Sequence, residues 1–188
     1  MMNLVSKLQQ YIGDYGIKEG KGAFFTLFKF IIVSLTGYNH EKYWKRRSYV
    51  IDPPKKNVLK KICYLLYVKK VDAKHMSSFG TSYNSGSHFG TPPILPHGMN
   101  SIIVGHDASI GCNVTIYQQV TIAQGGVKIG DNVMLGAGSK ILNGVTIGDN
   151  AKVGANCVVV QDIPADATCV LPKDRKSTRL NSSHLGIS

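Results

Sequence analysis

The chain has 188 residues, room for one domain, or one domain with a helical appendage, and for a hydrophobic core without disulfide staples. A hydrophobic fraction of 43% with 20 glycines excludes a disordered chain, and 22 basic against 11 acidic residues give a formal +11 that at first suggests a nucleic-acid or membrane binder. Four cysteines (Cys63, Cys112, Cys157, Cys169) make neither a disulfide framework nor a Cys-x-x-Cys zinc pair.

The charge is unevenly spread. Residues 1–100 carry 15 basic and 5 acidic side chains, residues 101–173 carry 4 and 5, and 15 of the 16 aromatic rings lie in the first hundred. Two building plans share one chain.

Residues 1–75 read as a helical segment. Leu4, Leu8, Tyr11 and Ile12 follow helical spacing, and residues 23–35 are apolar nearly all round before Gly37. That run is short and holds Lys29, so no spanning helix is expected; no signal peptide is read either, and a cytoplasmic location is the expectation. Asp52-Pro53 is a helix-start signal. After it Val58, Leu59, Ile62, Leu65, Leu66 and Val68 form an apolar stripe, with Lys55, Lys56, Lys60, Lys61, Lys69 and Lys70 mostly on the other side. Such a basic helix could meet an anionic membrane or nucleic acid, but no nucleic-acid motif accompanies it, and a solvated basic face is the expectation here and for residues 40–50.

From Val104 the chain repeats every six residues, with hexads starting at Val104, Ile110, Ile116, Ile122, Ile129, Leu135, Ile141, Ile147, Val153, Val159 and Ala165. The fifth position is small or medium-sized: Ala108, Val114, Val120, Gly126, Val133, Ser139, Val145, Ala151, Cys157, Ile163 and Cys169. One hexad, opening at Ile122, is a residue long. This period predicts a parallel β-helix whose leading aliphatics point into a triangular prism, with glycine and asparagine turning the corners. Cys157 and Cys169 then belong to the core, Cys112 to a turn and Cys63 to the helical stripe. The β-helix domain is expected over residues 76–173.

Residues 174–188, DRKSTRLNSSHLGIS, have no apolar period. They resemble the translation of a sequencing adapter, so they are set aside as a non-native tail, the native chain being expected to continue differently after Lys173.

The stretches TPPILPHG (91–98), TIYQQVTI (115–122), KIGDN (128–132), LGAGSKI (135–141), IGDN (147–150) and VGAN (153–156) resemble the hexapeptide-repeat acyltransferases, especially serine O-acetyltransferases and the short acetyltransferases of polysaccharide biosynthesis. The resemblance covers residues 80–173. It implies a left-handed β-helix, mainly β with an α-helical N-terminal segment, assembled as a homotrimer with active sites between neighbouring prisms.

The activity implied is acetyl transfer from acetyl-CoA to a small-molecule hydroxyl acceptor, with L-serine first and a surface-polysaccharide sugar as the alternative. Such chemistry needs a base near neutral pKa and donors for a tetrahedral oxyanion. Of the six histidines, His40 and His75 are read as solvated, His184 lies in the tail, and His88, His97 and His106 remain. His97 matches the catalytic histidine of the resemblance, which implies that it deprotonates the acceptor. The family's supporting aspartate, fifteen residues upstream, is here Ser82; Pro96 stands where an aspartate often precedes the histidine; and the loop 123–127 lacks the second histidine of longer relatives. For coenzyme A the resemblance implies Gly125, Gly126, Ala137, Gly138 and Ala155 along the coils, with Lys140 and Lys173 near the phosphates. No resident metal is expected. A rival zinc enzyme of the γ-carbonic anhydrase type would need His88 and His106, eighteen residues apart, to stack; a non-catalytic scaffold is the other rival. With a near-neutral β-helix, nucleic acid is no longer an expected partner.

Overall fold

The computed structural model describes residues 38–52 and 57–171. The expectations for residues 1–37, for Lys173 and for the adapter-like tail lie outside them.

Two helices precede the coils: α1 (His40–Ile51) and α2 (Val58–Lys74). Each begins at an asparagine whose side chain accepts an early backbone N–H, Asn39 from Lys42 (2.8 Å) and Asn57 from Lys60 (3.2 Å). Asn57, not Asp52-Pro53, therefore caps α2, and Asp52 caps the C-terminus of α1.

Spacing of i, i+1, i+4 and i+7 puts Tyr43, Trp44, Arg47 and Val50 on the buried side of α1. On α2 the expected orientation holds only in part: Val68 is buried and Lys60, Lys69 and Lys70 are exposed, but Lys61 and Asp72 are buried while Val58, Leu59, Ile62 and Leu66 are exposed. Tertiary partners decide this. Arg47 Nε donates to Thr81 Oγ1 (3.0 Å), and its Nη2 donates to the carbonyls of Phe79 (2.8 Å) and Ser87 (2.6 Å) and to Ser87 Oγ (2.8 Å). The guanidinium also lies against the rings of Trp44 and Phe89. Lys61 Nζ donates to the Asp52 carbonyl and to Asn84 Oδ1. Of these two cations, both expected on a solvated face, Arg47 joins α1 to the first coil, where buried carbonyls require donors, and Lys61 joins α2 to the end of α1 and to the hairpin residue Asn84.

The coils form a left-handed parallel β-helix of three faces. The first face stacks Ser78–Phe79, Ile103–Val104, Thr121–Ile122, Lys140–Ile141 and Val158–Val159. The second stacks His88–Phe89, Ser109–Ile110, Lys128–Ile129 and Thr146–Ile147, and the third Thr115–Ile116, Met134–Leu135, Lys152–Val153 and Thr168–Cys169. Ten leading aliphatics from Val104 to Val159 are buried. Each contributes roughly 2 kcal/mol of apolar burial. Phe79, Phe89 and Leu95 add a coil upstream of the hexads, in register with Val104, Ile110 and Ile116.

Two hexad assignments are corrected. The extra residue after Ile122 is taken up in the turn, so Val127 rather than Gly126 points inward and Gly126 is exposed. In the last coil Ile163 pairs beneath Ile147 and Cys169 beneath Val153, leaving Ala165 exposed. The chain passes from Val159 to Ile163 in four residues instead of six, and strict counting overshoots. The corner between the second and third faces carries an amide ladder, Asn113 to Asn132 to Asn150 to Asp166, each residue at φ between 55° and 61°. Asparagine and aspartate tolerate that left-handed backbone, and their side chains hydrogen-bond along the axis.

Candidate active site

Three edges run along the prism. The edge between the third and first faces opens with an enlarged loop, residues 96–102, and holds His97. The Pro96 ring and Gly98, at φ 68°, make a tight turn in which Gly98 N donates to the Leu95 carbonyl (3.1 Å). Met99 is fully buried beneath the loop, anchoring it on the core, and His97 is exposed.

One coil below, Tyr117 faces His97, with ring centroids 5.7 Å apart and planes tilted by 47°. Gln119 N then donates to the Asn100 carbonyl (3.1 Å), Gly138 N to the Gln118 carbonyl (3.0 Å) and Asn156 N to the Ala137 carbonyl (2.8 Å). Hence Ala137, Gly138 and Ala155 descend the same edge as His97. At about 4.8 Å per coil, the edge from His97 to Ala155 extends roughly 14 Å. Its lower coils carry the small residues Ala137, Gly138 and Ala155. At Gly138, φ 70°, the left-handed backbone disfavours most side chains, and an added Cβ would come within 2.3 Å of Asn156 Oδ1, which would have to shift. Lys140 starts the adjoining strand on the first face, exposed.

Gly125 and Gly126 lie on a different edge, between the first and second faces. Their N–H groups are both donated to Asp107 Oδ2 (2.9 and 3.0 Å). These bonds, Gly125's foremost, hold the Asp107 carboxyl below its usual range. Within one chain, the structure therefore gathers His97, Ala137, Gly138 and Ala155, with Lys140 beside them, and places Gly125 and Gly126 apart.

Ser82 sits on an antiparallel hairpin (Thr81–Ser82 with Ser85–Gly86) inserted between Phe79 and Phe89. Counting fifteen residues back from His97 thus leaves the coil; the residue preceding the lead on that rung is Ser78. Nor do His88 and His106 stack. His88 pairs with Ser109, and His106 lies on the first turn with Nε2 3.4 Å from Ser85 Oγ. Among the described residues, no three His, Cys, Asp or Glu side chains converge as a metal site.

Two residues read as solvated have partners. His40 Nδ1 is 2.9 Å from Tyr38 Oη, and burial lowers its pKa. His75, the C-cap of α2, has Nδ1 3.3 Å from Asn100 Oδ1. Asn100 and Tyr117 were not among the site residues expected; the one sequence signal for either was that Tyr117 is the only aromatic residue after residue 100.

Residues 126–161 match the family model for bacterial transferase hexapeptide (six repeats). Over 98 residues the chain is 41% identical to a serine acetyltransferase of Staphylococcus epidermidis, covering 48% of this chain and 46% of that protein, and 39% identical to one from Staphylococcus aureus with the same coverage. The chain thus spans about half the length of the curated relatives it matches. Among solved structures, a serine acetyltransferase in complex with CoA superposes with TM-score 0.56 at 28% identity, over 70% of this chain and 52% of that one. The serine acetyltransferase of Neisseria gonorrhoeae gives TM-score 0.51 at 30% identity, over 60% and 44%.

Proposed function

We propose that this protein is an acetyl-CoA-dependent O-acetyltransferase in which His97 is the general base and L-serine the acceptor. The observation that supports it most is the placement of one exposed imidazole at the head of an edge lined by Ala137, Gly138 and Ala155. An extended pantetheine chain would run along that edge with its thioester ending at His97.

In the reaction, His97 takes the hydroxyl proton as the acceptor oxygen attacks the thioester carbonyl. The tetrahedral intermediate collapses with loss of the CoA thiolate, which the imidazolium reprotonates. Lys140, and Lys173 further along the chain, supply point charges for the nucleotide phosphates. A homotrimer acting in the cytoplasm completes the reading: a neighbouring subunit's Gly125–Gly126 edge would then close the cleft, with Asp107 keeping that turn rigid.

Pro96 and the histidine-free turn 123–127 favour a second reading, a sugar hydroxyl as acceptor, because both depart from the serine-specific pattern. An acceptor screen with acetyl-CoA, following free thiol, separates them. Turnover of L-serine supports the first; turnover of only a glycan or nucleotide sugar supports the second. Failure of any acceptor to release thiol, with no acetyl-CoA binding by calorimetry, would leave a scaffold.

A further inference from the structure

No carboxylate meets the His97 ring among the described residues, yet its loop is tied down from a direction the coil pattern does not contain. Asn100 Nδ2 donates to the His97 carbonyl (3.0 Å). This fixes the orientation of the amide, so Asn100 Oδ1 faces Nδ1 of His75. An amide oxygen only accepts, so this contact is a hydrogen bond in the tautomer of His75 that carries its proton on Nδ1. The main chain repeats the connection: Ser101 N donates to the His75 carbonyl (3.0 Å), at a Ser101 φ of 53°. On its other side, the Asn100 carbonyl accepts from Gln119 N (3.1 Å), two residues after the tyrosine that faces His97.

We infer that Asn100 is a positioning residue for His97: its amide ties the backbone of that histidine to His75 at the C-terminus of α2, while its carbonyl ties the loop to the Tyr117 turn. The inference rests on the reading of His97 as the base. It assigns to the helical layer, through one side chain, the orienting task for which a carboxylate is absent. It also makes the helices part of the active site's construction, since α2 ends where the loop is held.

The decisive comparison uses Asn100→Ala and the isosteric Asn100→Asp. Aspartate can still accept from His75, but it turns an acceptor toward the His97 carbonyl in place of a donor. Both variants are expected to lose about tenfold or more in kcat, with KM for acetyl-CoA within about twofold of wild type and the acid limb of the pH–rate profile displaced. His75→Ala is expected to lose less, and His75→Gln, whose amide can donate to Asn100 Oδ1, to recover most of that loss. Wild-type kcat and pH profile in Asn100→Asp would overturn the inference. So would a loss explained wholly by a smaller folded fraction.

A second measurement needs no turnover. Hydrogen exchange at the Gly98 and Ser101 amides should accelerate in Asn100→Ala, and the His97 ring resonances should shift. If His97→Ala keeps full activity, the reading of the base fails, while these two spectroscopic results still decide whether the clamp exists; unchanged exchange and resonances would refute it.

Discussion

The phenol ring of Tyr117 lies 5.7 Å from the imidazole of His97, tilted by 47°, one coil below it on the same prism edge. The contact packs a ring against an exposed histidine that is followed by a glycine, Gly98, with no side chain to offer.

A Tyr117→Phe substitution keeps the ring and should hold kcat within about threefold. Tyr117→Ala removes the contact, worth about 1 kcal/mol, and should lower kcat about tenfold. Steady-state kinetics on both variants checks the difference; equal losses would assign the role to the hydroxyl instead.

Arg47 is 1% exposed and donates to two main-chain carbonyls and two hydroxyls of the first coil. Burial lowers its pKa to about 10, so it remains charged at neutral pH. Replacing it with methionine keeps much of the volume but leaves the Ser87 carbonyl without this donor. A loss of about 3 kcal/mol is expected in urea unfolding. Arg47→Lys should recover only part of it, because one ammonium cannot reproduce the planar fork.

Asp72 sits at the same helix–coil junction. Tyr43 Oη donates to its Oδ1 (2.6 Å), and Oδ2 has no partner. Burial raises its pKa from 3.8 to about 6, against the opposing influence of the Tyr43 bond, Lys69 and Arg47. The folded state thus holds this proton where the unfolded state has released it. Its contribution to stability is full below about pH 4 and is lost as pH rises toward 6, by roughly 3 kcal/mol at most. The melting temperature of the wild type relative to Asp72→Asn should therefore fall between pH 4 and 6.5 and level off above. A difference independent of pH would show that Asp72 titrates normally.

The β-helix was legible because its period is a packing rule: Val104, Ile110 and Ile116 must each stack on a counterpart one coil away. The rule fails where the chain leaves the period. Ile163 was placed one role off because four residues, not six, separate it from Val159. Phe79, Phe89 and Leu95 carried no hexad signal because a hairpin interrupts their spacing. Arg47 and Lys61 read as solvent-facing charges, since burial of each depends on acceptors distant in sequence, Phe79 and Ser87 for Arg47 and Asn84 for Lys61. In the site, resemblance singled out His97 and the small residues of its edge. His75 and Asn100, 25 residues apart and in different elements, have no shared pattern to read.

The most direct test of the account is turnover of acetyl-CoA and L-serine by His97→Ala, with cofactor binding measured in parallel. With His97 as the general base, kcat should fall about 100-fold or more, with an acetyl-CoA Kd within about twofold of wild type and an unchanged melting temperature. Undiminished turnover by the alanine variant would contradict that assignment.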